Sequence, residues 1–270
     1  MEAASDLRRF REAYAAHRAA EGRGSGGEAE ALALPWLRTG PQRRQWAVRA
    51  RTFERFMDAV VAARVFEVSP RPLHVLDLGA GNGWLCYRLA DLGHRCIAID
   101  IRDDDVDGLR AAEAYRAHLP AMFGCVAASF EALPIADGVA DIAVFNASLH
   151  YALDLRRVLE EAARVVVSGG RIAILDSPFY HTAEEGEAMV AEKKAEARLR
   201  FGERAGVLTA LPFIEYLTAE RLEEASSGLG LRWRRHRVRY PLAYELRPLL
   251  ARLRRRRRPS RFDLWETTVP

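Results

Sequence analysis

Residues 75–84 read VLDLGAGNGW, an apolar run that passes through one aspartate, Asp77, into Gly79, Gly81 and Gly83 set two residues apart. Glycines at the end of a buried strand let the backbone turn with φ > 0 and let a neighbouring group come closer than a Cβ permits. Loops of this kind usually hold a nucleotide. Around the loop the chain alternates between strand and helix patterns. LHVLDLG reads as a buried strand, WLCYRLADLG as a helix ending at Gly93, and HRCIAID as a second strand finishing on Asp100. A helix fits 105–118, AMFGCVAAS (121–129) and ADIAVFNAS (140–148) read as strands three and four, and a helix fits 154–167. Ser168, Gly169 and Gly170 then turn the chain into RIAILDS (171–177), a fifth strand. This alternation predicts a doubly wound, mostly parallel sheet with right-handed crossovers.

The flanks differ from this core. Residues 1–21 have a helical pattern, GRGSGG (22–27) is a flexible break, and Trp46, Phe53, Phe56, Met57, Val60 and Val61 recur at helical spacing between Gln45 and about Phe66. Downstream come a charged helical insertion over 183–201 and a helix near 219–227. A strand over LRWRRHRVRYPL (231–242) and a last one over FDLWETTV (262–269) bring the count to seven. The expected organisation is an N-terminal helical lid over 1–69 and one α/β domain over 70–270, carrying an insertion at 178–218.

Composition narrows the class. With 270 residues and 49% apolar side chains the chain can bury a substantial core. It shows no stretch near the ~20 apolar residues that span a bilayer, and no apolar segment marks a secretory signal at the N-terminus. The three cysteines, Cys86, Cys96 and Cys125, lack metal-ligand spacing and read as reduced thiols of a cytoplasmic protein. No metal site is expected. Between Leu231 and Arg261 thirteen arginines face one acid, Glu245, for a local charge of +12; the chain as a whole carries +4, which leaves −8 on the rest.

A dinucleotide fingerprint requires G-x-G-x-x-G and a second mononucleotide half. Here the loop is G-x-G-x-G and no second glycine loop follows. The spacing resembles motif I of the class I S-adenosylmethionine (SAM) dependent methyltransferases, and the resemblance runs in register over about residues 73–177. It implies a Rossmann-like sheet of order 3-2-1-4-5-7-6 with strand seven antiparallel, and SAM as cofactor. On that resemblance Gly79, Ala80, Gly81, Asn82 and Gly83 form the cofactor loop. Asp100 accepts from the ribose hydroxyls, Ile101 lies on the adenine face, and Asn146 touches the methionine moiety. Asp77 either orients the ammonium or sulfonium region or ties down loop amides. Asp100 has a second reading as a helix N-cap. Ser129 stands where the family often has an adenine-binding aspartate, and Phe130 supplies an amide and a stacking surface. Arg43, Arg44, Arg49 or Arg51 is placed to reach the SAM carboxylate.

Methyl transfer from a sulfonium is an in-line displacement and requires a base only if the acceptor must lose a proton. Ligands of open α/β sheets sit beyond the carboxyl ends of the strands, so the polar residues after strands four and five are the catalytic candidates. These are His150, Tyr151, Asp176, Tyr180 and His181. His150 is the first choice for a general base, with a pocket-lining histidine as its other reading. Trp36, Trp46, Phe179, Tyr180, Phe213 and Tyr216 either cover the pocket or pack the flanking helices. There is no N-P-P-[YFW] signature of DNA-base amino methylation. The run RLRRRRR (252–258) reads first as a solvated surface helix; RNA or an anionic lipid surface is the alternative partner. The function expected is SAM-dependent methyl transfer to a small-molecule acceptor; the alternatives are an RNA methyltransferase using the basic 231–261 region and a protein that binds SAM without transferring methyl.

Overall fold

The computed structural model describes residues 9, 11–16, 18, 22, 26–201, 206 and 211–270. The remaining positions of the helix expected over 1–21, part of the break at 22–27 and part of the 178–218 insertion lie outside the described residues. Seven strands form one sheet in the order β3-β2-β1-β4-β5-β7-β6. They are β1 (His74–Leu78), β2 (Arg95–Asp100), β3 (Gly124–Ala127), β4 (Ala140–Asn146), β5 (Val166–Leu175), β6 (Arg234–His236) and β7 (Leu264–Thr268). The first five pair in parallel, and β7 runs antiparallel to both β5 and β6.

Side chains alternate across the sheet with period two, so each central strand feeds both faces. Val75, Ile142 and Val144 pack with Trp46, Phe53, Phe56 and Leu85 on one side. Leu76, Leu78, Ala143 and Phe145 pack with Leu149, Val158, Leu159 and Ile174 on the other. The predicted helix before β1 is one long element, Arg43–Phe56 continuing through a π-helical turn, Met57–Val61, into Ala62–Val68. At its far end Arg64 and Arg71 both meet Asp141, buried at the start of β4. Arg71 makes two bonds of 2.7 Å and Arg64 one of 3.1 Å, and the His74 amide adds another at 2.9 Å. Burial opposes its charge, but these donors hold Asp141 below the usual carboxylate range.

Three expectations change in detail. The helix predicted over 105–118 is a 3₁₀ helix, Leu109–His118, whose buried residues Leu109, Ala112 and Tyr115 recur every third position, the repeat of a three-residue turn. The strand predicted over 231–242 shrinks to Arg234–His236, because the Val238 amide bonds the Asp263 side chain (3.0 Å) instead of a neighbouring strand. The helix carrying the arginine run ends at Leu253, leaving Arg254 to Arg258 in turn and coil.

The glycine loop is shaped as much by close packing as by ligand access. A Cβ on Gly79 (φ +80°) would lie 2.3 Å from Ser148 Cβ, and one on Gly83 (φ +73°) 2.9 Å from the Phe123 ring. Gly93 also has positive φ (+87°) but faces open space. Gly79→Ala should therefore combine strain with overpacking and cost roughly 2–4 kcal/mol. Gly93→Ala should cost only about 1–2 kcal/mol. Urea unfolding of the two variants checks the difference.

Candidate active site

Strand order reverses between β1 and β4, and a cavity of about 610 Å³ opens at the carboxyl ends of these strands. Its size suits a drug-sized ligand. The loop after β1 forms one wall. Gly79 and Ala80 donate to the Ile99 carbonyl (2.7 and 3.0 Å), which draws the loop over the tip of β2. There Asp100 accepts from the Gly81 amide through one oxygen and from the Arg102 amide through the other, both at 2.8 Å. Burial raises the Asp100 pKa and the two amides pull it back. Each oxygen keeps a lone pair for a further donor.

Asp77 lies behind the same loop, buried to 1% exposure, with Oδ1 unpartnered and Oδ2 only 4.0 Å from Cys86 Sγ. Burial, aided by the nearby Asp100 charge and opposed by Arg49, pushes its pKa up to about 8. It is a poorly solvated carboxyl group with one unused acceptor.

The second wall combines the tips of β4 and β5 with the Arg43–Phe56 helix. The Arg49 guanidinium lies over the Trp46 and Trp84 rings (4.4 and 5.5 Å) and donates to Asn146 Oδ1 (3.1 Å) and Asp176 Oδ2 (3.3 Å). Ala147 and Asp176, which follow Asn146 and Leu175, have φ of 60° and 52°. Non-glycine residues in this region store strain, and both line the cavity. His150, half-buried in the short 3₁₀ turn Leu149–Tyr151, has an unpartnered Nδ1. Burial, then the Lys193 and Arg49 charges, push its pKa down to about 3. Its ring contacts Tyr151 at 4.3 Å, and the Tyr151 hydroxyl meets the Tyr14 hydroxyl at 2.9 Å.

Most sequence candidates converge here. Gly79, Ala80, Gly81, Asn82, Asp100, Ile101, Ser129, Phe130, Asn146, His150 and Tyr151 line the cavity, as do Asp176, Arg44, Arg49, Trp46 and Phe213. Ser129 accepts from the Glu131 amide (3.2 Å), and the Phe130 ring meets Phe145 edge-on. Asp77 and Gly83 stand behind the lining. Tyr180 and His181 are not among the lining residues: Tyr180 is buried against Tyr216 and accepts from Arg257 (3.3 Å), while His181 is exposed. Arg43, Arg51, Trp36, Phe179 and Tyr216 are also outside the lining. Sequence reasoning missed Tyr14, Arg18 and Asp107, where Arg18 and Asp107 form an ion pair of 2.5 Å across the cavity rim. It also missed Tyr244, Arg247 and Phe262, which close the β5 side. No local motif marks any of them; only the fold brings them together. Among the described residues no acid, histidine and cysteine group has the makings of a metal site.

Residues 76–174 match a family described as a methyltransferase domain. The malonyl-[acyl-carrier protein] O-methyltransferase of Methylococcus capsulatus is 34% identical over 134 residues, covering 48% of this chain and 44% of that protein. The tRNA 5-carboxymethoxyuridine methyltransferase of Escherichia coli is 32% identical over 126 residues, covering 46% and 45%. The chain thus spans less than half the length of these curated relatives. Among solved structures, the YcgJ protein of Bacillus subtilis superposes with a TM-score of 0.53 at 15% identity, over 78% of this chain and 98% of that one, a likeness of fold.

Two measurements probe this geometry. Arg49→Met leaves the Asp176 carboxylate buried and unpaired and should cost about 3–5 kcal/mol. Arg49→Met/Asp176→Asn should recover much of that loss in urea unfolding. For His150, folding holds the ring neutral while the unfolded chain binds a proton below about pH 6.5. Its contribution to stability is therefore present above that pH and lost as pH falls toward 3. His150→Gln should flatten this part of the stability profile, and the His150 ring resonance should not titrate near pH 6.5.

Proposed function

For a chain that belongs to the class I SAM-dependent methyltransferases, we propose transfer of a methyl group from SAM to a small-molecule acceptor held over β4 and β5. The carrying observation is the Asp100 carboxyl group on the cavity wall beside the glycine loop, with unused acceptor capacity toward a ligand, together with the buried Asp77 carboxyl group behind that loop. Asp100 has a spare lone pair on each oxygen, which suits two vicinal hydroxyls, and the orphaned Asp77 Oδ1 suits a cationic group. The residues therefore fit SAM, whose sulfonium supplies an already activated methyl carbon.

In this reading Asp100 holds the ribose, while Ile101, Ser129 and Phe130 border the adenine. Asp77, Asn146 and Arg49 surround the methionine end, with Arg49 the best placed of the four arginines to meet its carboxylate. Trp46 and Trp84 exclude water from that guanidinium and fix its plane. The acceptor occupies the side lined by His150, Tyr151, Asp176, Phe213, Tyr244 and Arg247. The segments around Tyr14 and Phe213 serve as the lid, and a cytoplasmic location accords with three free cysteines.

His150 binds and orients the acceptor in this scheme. A ring whose pKa lies near 3 accepts a proton poorly at neutral pH, but its unpartnered nitrogen can hold an acceptor hydroxyl, amine or acid. One relative named above is a malonyl-[acyl-carrier protein] O-methyltransferase and the other a tRNA 5-carboxymethoxyuridine methyltransferase, and Arg44 and Arg247 on the cavity wall of this chain suit an anionic acceptor. An oxygen anion attacks without losing a proton. The arginine-rich region and the tRNA-modifying relative support RNA as a second reading of the acceptor.

S-adenosylhomocysteine should raise the thermal stability of the protein by mass action, and NADH should not. Asp100→Ala should weaken SAM by about 1.5–3 kcal/mol in calorimetry. Stabilisation by NADH with indifference to SAM would falsify the reading. With labelled SAM and a metabolite extract, label should enter the nuclease-resistant small-molecule fraction. Under the positioning role His150→Gln should keep much of its turnover across pH and lose mainly in acceptor KM. A general base would instead lose about 10²–10⁴-fold in turnover.

A further inference from the structure

Away from the cavity, the least expected surface lies on residues 242–258. The helices Leu242–Glu245 and Arg247–Leu253 run nearly end to end. Leu246 between them keeps helical torsions (φ −78°, ψ −11°), and the amides of Leu246, Leu250 and Arg254 bond the carbonyls of Leu242, Leu246 and Leu250. Along this stretch Leu242, Leu246, Leu249, Leu250 and Leu253 follow the helical repeat and so share one face. A stripe with that spacing normally marks a buried side. Here all five are exposed, at 73, 41, 54, 43 and 72%. The other side carries Tyr244 into the core, with the Arg247 guanidinium 3.5 Å over its ring.

The chain then runs into Arg254 to Arg258, of which Arg257 is held by Glu192 (2.8 Å) and the Tyr180 ring while the other four are exposed. No acidic residue occurs between Leu246 and Arg261. The surface thus joins an exposed leucine stripe to a basic cluster in which, among the described residues, Arg257 alone is paired with an acid.

We propose that this element docks on an anionic lipid bilayer, leucines into the headgroup boundary and arginines on the phosphates. Charge complementarity selects the anionic surface, and the exposed leucines select lipid among anionic partners. RNA would engage the arginines but leave the leucines in water, and no aromatic residue lies within 245–261 to stack on bases. Neither signal alone gives firm attachment to a membrane; an apolar face combined with a polybasic patch does. The element is rooted in the cavity wall, since Tyr244 and Arg247 line it. The proposal does not depend on the methyl-transfer reading: its readout is vesicle flotation, and S-adenosylhomocysteine enters only as a check that the variants keep their fold.

The test is flotation of the full chain with vesicles of phosphatidylcholine alone and of phosphatidylcholine mixed with phosphatidylglycerol. The parent should float with the mixed vesicles only, and less so as salt rises. Leu249→Ser/Leu253→Ser should lower partitioning by at least about tenfold, while stabilisation by S-adenosylhomocysteine stays at the parent level. If the double variant loses that stabilisation, Leu249→Ala alone should still reduce flotation. Glutamine in place of Arg254 to Arg258 should abolish it. A parent that ignores the mixed vesicles, or leucine variants that float like the parent, would overturn the proposal. Leucine-dependent dimerisation in sedimentation velocity, without vesicle binding, would assign the stripe to a second copy. Binding of total tRNA that needs the arginines and not the leucines, again without vesicle binding, would assign the surface to nucleic acid.

Discussion

One guanidinium sets the shape of the cavity. Arg49 is wedged against two indoles and bonded to the side chains that end β4 and β5. A charge so far from bulk water is tolerable only where its donors are used and a counterion is near. Asn146 and Asp176 meet that demand, and in doing so they fix how the Arg43–Phe56 helix sits across the sheet. The helix in turn brings Trp46 to the cavity and Phe53 and Phe56 to the core. The positive φ at Ala147 and Asp176 is consistent with this: both strand ends are bent into place beside the side chains that Arg49 holds.

Three ionisable groups around the cavity are held away from their ordinary behaviour, and mainly by burial. Asp77 and Asp100 are harder to ionise than a carboxyl in water, and His150 harder to protonate. All three shifts run toward the neutral form, with burial as the first cause of each. A cation arriving near Asp77 would stabilise its carboxylate. The arrangement favours ligands that bring their own charge.

The sheet was legible because its information is local. Each strand from β1 to β5 is a short apolar run bounded by glycine or a polar turn, and the glycine loop with Asp100 at the next strand end placed one wall of the cavity. What could not be read depends on residues far apart in sequence. Tyr14 reaches Tyr151, and Arg18 reaches Asp107, through contacts that no spacing encodes. Tyr180 and His181 sit at the right point in the chain after β5, yet the chain turns there to pair Phe179 with Leu217 and Arg261, and their side chains leave the cavity. The shortened β6 has the same origin, since the Asp263 carboxylate captured the amide that an extended strand would have offered. The leucine stripe misleads in the opposite sense: its pattern is that of a core helix, and only the fold reveals that its five leucines are exposed.

The element from Arg43 to Val68 is fastened at both edges of the sheet. Arg49 grips the carboxyl edge, and fifteen residues later Arg64 grips Asp141 at the amino edge, with Arg71 on the same acid. At 1.5 Å per residue these anchors stand roughly 22 Å apart. Such an element opens only together with the sheet, as part of one cooperative unit. On the side of Tyr14 and Arg18, movement that uncovers the cavity would therefore pivot before Arg43, in the non-helical segment 34–42. The hinge of the entrance and the strut of the fold meet at that residue.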